Sequence, residues 1–182
     1  MVDEPAHAGE LCFVLYEGDI PDSCDEFSIC FDTDFNNYCT PLCMGSPEAP
    51  TCADPDDTCG DFMWGHVCYP SCEPFAPTCA AFTVCAPGAG GFLCAPDYNG
   101  IEGARHDVCD YASDCNEGLA CVAAAAAVEC DQEAGKCCEL LCDLGAPDPG
   151  APCTGQGQEC IGFYTEGLAP PGLEDVGICT LP

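Results

Sequence analysis

The chain has 182 residues, of which 32 are acidic, two basic and 22 cysteine, for a formal charge of −30. That charge excludes nucleic acid and anionic membrane surfaces as partners, and no apolar run approaches the ~18 residues that span a bilayer. Leu, Ile, Val and Phe make only 33 of the 182 residues, which with this charge would mark a disordered chain if the cysteines did not supply cross-links in place of a large core.

From the N-terminus, residues 1–10 carry neither a basic nor an apolar leader segment. So many cysteines are out of place in a reducing cytosol. The expectation is therefore an exported protein, secreted, periplasmic or at the cell surface, whose leader has been removed. Metal binding is the other use of many cysteines, but zinc knuckles are usually C-x2-C to C-x4-C pairs. Neither C-x2-C nor C-x-C occurs, and the three C-x3-C pairs fall into a repeat.

The repeat has four cysteines per unit: Cys12, Cys24, Cys30 and Cys39, then Cys43, Cys52, Cys59 and Cys68, then Cys72, Cys79, Cys85 and Cys94. The middle gaps are 5, 6 and 5 residues and the last gap is 8 in all three. A fourth unit (Cys109, Cys115, Cys121, Cys138) and a fifth (Cys142, Cys153, Cys160, Cys179) keep middle gaps of 5 and 6 but lengthen the last to 16 and 18. Cys130 and Cys137 are left over inside the fourth unit's long gap. The domains expected are a tail over 1–11, then modules over 12–42, 43–71, 72–108 (with a connector), 109–141 (with an inserted loop) and 142–182.

The eight-residue gaps read as hairpins. Asp32, Asp34, Asn36 and Asn37 signal a turn in the first, and Gly88, Gly90 and Gly91 supply positive-φ positions in the third. Ala123–Ala127 favours helix, though a run this short supports two turns at most. The Pro- and Gly-rich stretches 145–152 and 168–172 read as loops. The fold class expected is small and disulfide-rich, mainly short β-hairpins and loops, a tandem array of about five two-disulfide modules with little helix.

Hairpin geometry suggests the pairing. The third and fourth cysteines of a unit flank a hairpin, and the incoming segment carries the first two close enough to staple one to each strand. This predicts Cys12–Cys30, Cys24–Cys39, Cys43–Cys59, Cys52–Cys68, Cys72–Cys85, Cys79–Cys94, Cys109–Cys121, Cys115–Cys138, Cys142–Cys160 and Cys153–Cys179, with Cys130–Cys137 closing the insertion. The competing scheme joins third to fourth directly across the hairpin.

Cys94-Ala-Pro-Asp, Cys115-Asn-Glu-Gly-Leu-Ala-Cys121, Cys137-Cys138-Glu-Leu-Leu-Cys142, and Gln158-Glu-Cys160 followed by Ala169–Cys179 resemble a group of secreted cysteine-rich proteins of myxobacteria. The resemblance covers residues 79–182 and extends over 12–78 mainly by cysteine spacing. It implies an exported protein or lipoprotein of unknown function. Some members carry an automatic label of ribulose-phosphate epimerase, a (β/α)8 enzyme with a His and Asp metal site. Three histidines, no alternation of strands and helices, and a cysteine every eight residues or so do not suit such a barrel.

The candidate sites are few. Asp32, Asp34 and Asn36 have the 1, 3, 5 spacing of an oxygen-ligand calcium loop. Asn37 stands where such a loop needs Gly, and a solvated Asp- and Asn-rich turn is the plainer reading. Asp54, Asp56, Asp57 and Asp61 form a second acidic cluster without a recognised spacing. Phe62, Met63, Trp64 and His66 fill one hairpin gap, as a binding anchor or as packing between modules. Phe163, Tyr164 and Leu168 pose the same choice, and Arg105 in a Gly-containing connector suggests a protease-accessible linker. No G-x-S-x-G occurs, and the five serines lie at cysteine-dense turns.

The reading is a non-enzymatic, exported binding or structural surface protein without an obligatory cofactor, its partner extracellular or in the envelope and of cationic character. The alternatives are a calcium-dependent adhesin-like module and a secreted enzyme.

Overall fold

The computed structural model describes residues 11–12, 23–31, 38–46, 49–62, 65–80, 83–88, 90–97 and 103–182. Among them there is no α-helix, only short antiparallel strands and two single-turn 3-10 segments. The chain forms two compact units, Met1–Pro70 and Ser71–Pro182.

All 22 cysteines are bonded. Each module joins its first cysteine to its third and its second to its fourth, and Cys130 closes on Cys137. The bonded Cα atoms lie 5.1–6.1 Å apart, inside the range that needs no backbone distortion. The strands account for the pairing. β1 (Ser28–Phe31) and β2 (Tyr38–Pro41) set Cys30 directly opposite Cys39. Side chains opposite each other in a ladder share one face, so both sulfurs meet the incoming segment, where Cys12 takes one and Cys24 the other.

In the first unit these four cysteines form a cluster of their own, so sulfur supplies the buried volume that Leu and Ile supply elsewhere. Two more hairpins follow. β3 (Met44–Ser46) and β4 (Ala49–Thr51) form a small hairpin within the gap between Cys43 and Cys52, which cysteine spacing did not reveal. β5 (Asp57–Phe62) and β6 (Gly65–Pro70) place Cys59 opposite Cys68. The connector between these modules is part of the ladders. Leu42 bridges Val67, its N–H donates to the Phe27 carbonyl at 2.8 Å, and the Cys43 N–H donates to the His66 carbonyl at 3.0 Å.

In the second unit β7 (Thr83–Gly88) and β8 (Gly91–Pro96) repeat the hairpin with Cys85 opposite Cys94. Its turn needs glycine at Gly91, where φ is +146°. The remaining strands, β9 (Leu119–Ala123), β10 (Lys136–Asp143), β11 (Glu159–Gly162) and β12 (Val176–Thr180), form one antiparallel sheet in the order β11-β12-β10-β9. β10 carries Cys138 of the fourth module and Cys142 of the fifth. These two modules therefore share a strand, because Cys138 and Cys142, four residues apart, present to the same face of a continuous strand.

A second regularity runs through modules two to five. The residue before the first cysteine bridges the residue before the fourth: Leu42 to Val67, Ser71 to Leu93, Val108 to Cys137 and Leu141 to Ile178. Each module is thus a hairpin with a third, incoming strand segment on its fourth-cysteine side.

The apolar core of the second unit gathers Cys85, Phe92, Ala120, Leu141, Val176 and Ile178, with Phe163, Tyr164 and Leu173 packed on it. Phe92 lies 5.8 Å from Phe163, which meets Tyr164 edge-on at 5.1 Å. The pair Phe163 and Tyr164 is therefore core packing, while Leu168 is exposed. The alanine run forms only a 3-10 turn at Ala124–Ala126. The Gln132 side chain beside it donates to the carbonyls of Ala124, Ala127 and Cys130.

Candidate functional site

The one charged side chain with no exposure is Glu139, among the described residues. It sits mid-strand in β10, and its two oxygens are surrounded. Oε1 accepts from Arg105 Nε at 2.6 Å and from the Leu140 N–H at 2.8 Å. Oε2 accepts from Gln158 Nε2 at 2.8 Å. Arg105 also donates to Gln158 Oε1 at 2.8 Å and to Thr154 Oγ1 at 3.3 Å, and the Gly155 N–H donates to the same Gln158 oxygen at 3.1 Å. His106 Nε2 lies 3.4 Å from Glu139 Oε2, within ion-pair reach but off hydrogen-bond geometry, and the atom has no hydrogen-bond partner. Its residue holds a positive φ of 74°.

Three segments meet here: the connector around Arg105 and His106, strand β10, and the loop carrying Thr154 and Gln158. A buried carboxylate is costly unless paired and hydrogen-bonded, and Glu139 satisfies both conditions. Through these bonds the arrangement clasps the connector and the fifth module onto the shared strand. Arg105 is not the accessible linker residue its sequence context suggests: its side chain is only 24% exposed and is held by Glu139. Gly103 nearby has φ +103°, and a side chain there would strike the Asp114 carbonyl oxygen.

Lys136, the other basic residue, donates to the Asp110 carbonyl at 3.0 Å. Both cationic side chains are thus engaged within the second unit. At its periphery the exposed Glu129 carboxylate accepts from the Gln156 N–H at 2.9 Å. That bond is the largest cause holding its pKa below the ordinary value, with smaller help from His106 and Arg105.

The other sequence candidates fare differently. Asp32, Asp34 and Asn36 lie outside the described residues, as do Met63, Trp64 and the side chain of Phe62. His66 is exposed in β6, opposite Asp61. Asp54, Asp56 and Asp57 do come together. The Asp54 carboxylate accepts from the Asp56 N–H at 3.0 Å, and the Asp57 carboxyl is raised by partial burial first and then by repulsion from Asp54 and Asp56. In each module three sulfurs lie within 4.8 Å of one another, but all are in disulfides, so these clusters hold no thiolate for a metal. No helix among the described residues is long and apolar enough to cross a membrane.

The clasp went unread because a single Glu among 32 acids carries no signal. The available clue was its position inside Cys-Glu-Leu-Leu-Cys, the middle of an otherwise apolar strand, in a chain with one arginine. No protein family, curated protein or solved structure matches the chain.

Proposed function

We propose that the chain is an exported, non-enzymatic surface protein of structural or binding type, whose partner is cationic. The observation that supports this reading best is the bonding of all 22 cysteines within successive modules, an economy of construction that belongs to an oxidising environment. The buried polar cluster adds to it, since the Glu139 carboxylate is tied by Arg105, Gln158 and the Leu140 N–H into the packing of the second unit. The charge supports the choice of partner. Thirty-two carboxylates stand against two basic side chains, one of them paired with the buried Glu139, so the net field of the chain attracts positive charge.

The test is capture from an envelope or matrix extract with the oxidised full chain as bait, followed by elution with increasing salt. Cationic proteins or amine-bearing polymers should elute at moderate ionic strength, as screened attraction requires. Retention of neutral or acidic partners through high salt would overturn the cationic assignment. Finding the protein reduced within the cytosol would overturn export.

A further inference from the structure

The gap between the third and fourth cysteines is 8 residues in the first three modules and 16 in the fourth. The extra length lies beyond Ala123 and Lys136, the end pair of the β9–β10 ladder, and folds as a lobe of its own. Ala124, Ala127, Cys130 and Cys137 form its small core. The Ala124 N–H donates to the Gly135 carbonyl at 2.9 Å, and the Cys130–Cys137 bridge ties the lobe back to β10. Gln132 Nε2 reaches the carbonyls of Ala124, Ala127 and Cys130 at 2.9, 3.0 and 3.1 Å.

The outward bonds of this lobe go to the fifth module. β12 pairs with β10 as far as Ile178, which stands opposite Leu141. Past that point the lobe takes over. The Leu181 N–H donates to the Ala126 carbonyl at 2.8 Å, and Thr180 Oγ1 reaches the same carbonyl at 3.2 Å. Three residues further along the lobe, the Glu129 carboxylate accepts from the Gln156 N–H at 2.9 Å. Gln156 lies between Thr154 and Gln158, the two residues bonded to Arg105.

We infer that the lobe is a latch on the fifth module. It holds the end of β12 and the loop over 154–158, and the bridge Cys130–Cys137, outside the four-cysteine pattern, keeps it in shape to do so. The fifth module's own bridges, Cys142–Cys160 and Cys153–Cys179, leave both places unfixed. Leu181 lies beyond Cys179, and Gln156 lies in the open stretch between Cys153 and Cys160. A lobe already ordered by its bridge and by Gln132 presents its acceptors without paying to order them on contact. Release of the latch therefore opens a strand end and a loop while the ladders stay closed.

Amide hydrogen exchange on the full oxidised chain tests this, read at Leu181, at Gln156 and at Ile161 within the β11–β12 ladder. Cys130→Ala with Cys137→Ala should speed exchange at Leu181 and Gln156 by about two- to tenfold, the net worth of a single hydrogen bond, and leave Ile161 unchanged. Gln132→Ala keeps every cysteine and should give the same pattern. Glu129→Ala should loosen Gln156 and spare Leu181. Peptide mapping should still recover Cys142–Cys160 and Cys153–Cys179 in all three variants. Full protection of Leu181 and Gln156 in the first two variants would overturn the latch. So would equal loosening at Ile161, which would make the lobe a general source of stability, or loss of the fifth module's bridges, which would make it a requirement for closing them.

Discussion

Cys121 and Cys138 stand directly opposite each other across the β9–β10 ladder, yet neither is bonded to the other: Cys121 joins Cys109 and Cys138 joins Cys115. The arrangement recurs at all five third–fourth pairs, so the hairpin serves as a platform on which two incoming sulfurs land. Mass spectrometry after alkylation without reduction should therefore find no modified thiol. Peptide mapping should recover the Cys12–Cys30 and Cys24–Cys39 links and no Cys30–Cys39 link, whose presence would exclude this arrangement.

Arg105→Ala would leave Glu139 buried without its cation. Removal of one partner from such a pair costs about 3–5 kcal/mol, and loss of the bonds to Gln158 and Thr154 works in the same direction. Denaturant unfolding of the oxidised chain reads the effect. Replacing both partners with apolar residues, Arg105→Met together with Glu139→Leu, should cost less than Arg105→Ala alone, and strictly additive losses would argue against a coupled clasp.

Gly177 faces a different constraint. A Cβ there would lie 2.7 Å from the Cys160 sulfur and 3.0 Å from the Cys142 sulfur, both in the same bridge. Gly177→Ala should destabilise the fifth module by about 1–3 kcal/mol and lower the yield of the Cys142–Cys160 bond on oxidative refolding. Gly167, with φ +77° and nothing within 4 Å, is the control. Alanine there meets only backbone strain of about 1 kcal/mol, and an equal effect at both positions would sink the steric explanation.

Asp57 carries a pH prediction. Its carboxyl is raised from 3.8 by desolvation and by its neighbours Asp54 and Asp56, so the folded state holds the proton more tightly than the unfolded chain does. Stability contributed through this group therefore falls as pH rises from about 3.8 through the folded pKa, and the ionised form is the unfavourable one at neutral pH. Asp57→Asn should raise the thermal midpoint at pH 7, with the advantage fading below pH 4. An advantage that is the same at both pH values would point to a cause other than titration.

The modular plan was readable because cysteine spacing reports strand geometry directly. The eight residues between Cys59 and Cys68 fit a hairpin in which those cysteines come out opposite each other, and the pairing follows from that register. The merger of the fourth and fifth modules was not readable. Glu139, Leu140 and Leu141 between Cys138 and Cys142 have the same length whether they turn or run straight. Only the ladders on both sides, to β9 and to β12, make the segment a strand. The clasp was hidden for a related reason: Arg105 and Glu139 are 34 residues apart, and nothing local to either announces the other. Phe163 and Tyr164 likewise became core only when the sheet brought Phe92 to them.

The short reach of the bridges governs how the protein is made. The widest spans 26 residues and most span fewer than twenty. Cys12, Cys24, Cys30 and Cys39 form a complete set of partners within 28 residues of chain. Four thiols allow three pairings, whereas 22 allow on the order of ten billion. Bridges that close locally keep the correct partners near one another in the chain, so each native pairing is a short-loop choice. Since Leu42 pairs with both Phe27 and Val67, a finished hairpin also offers the edge against which its successor is assembled.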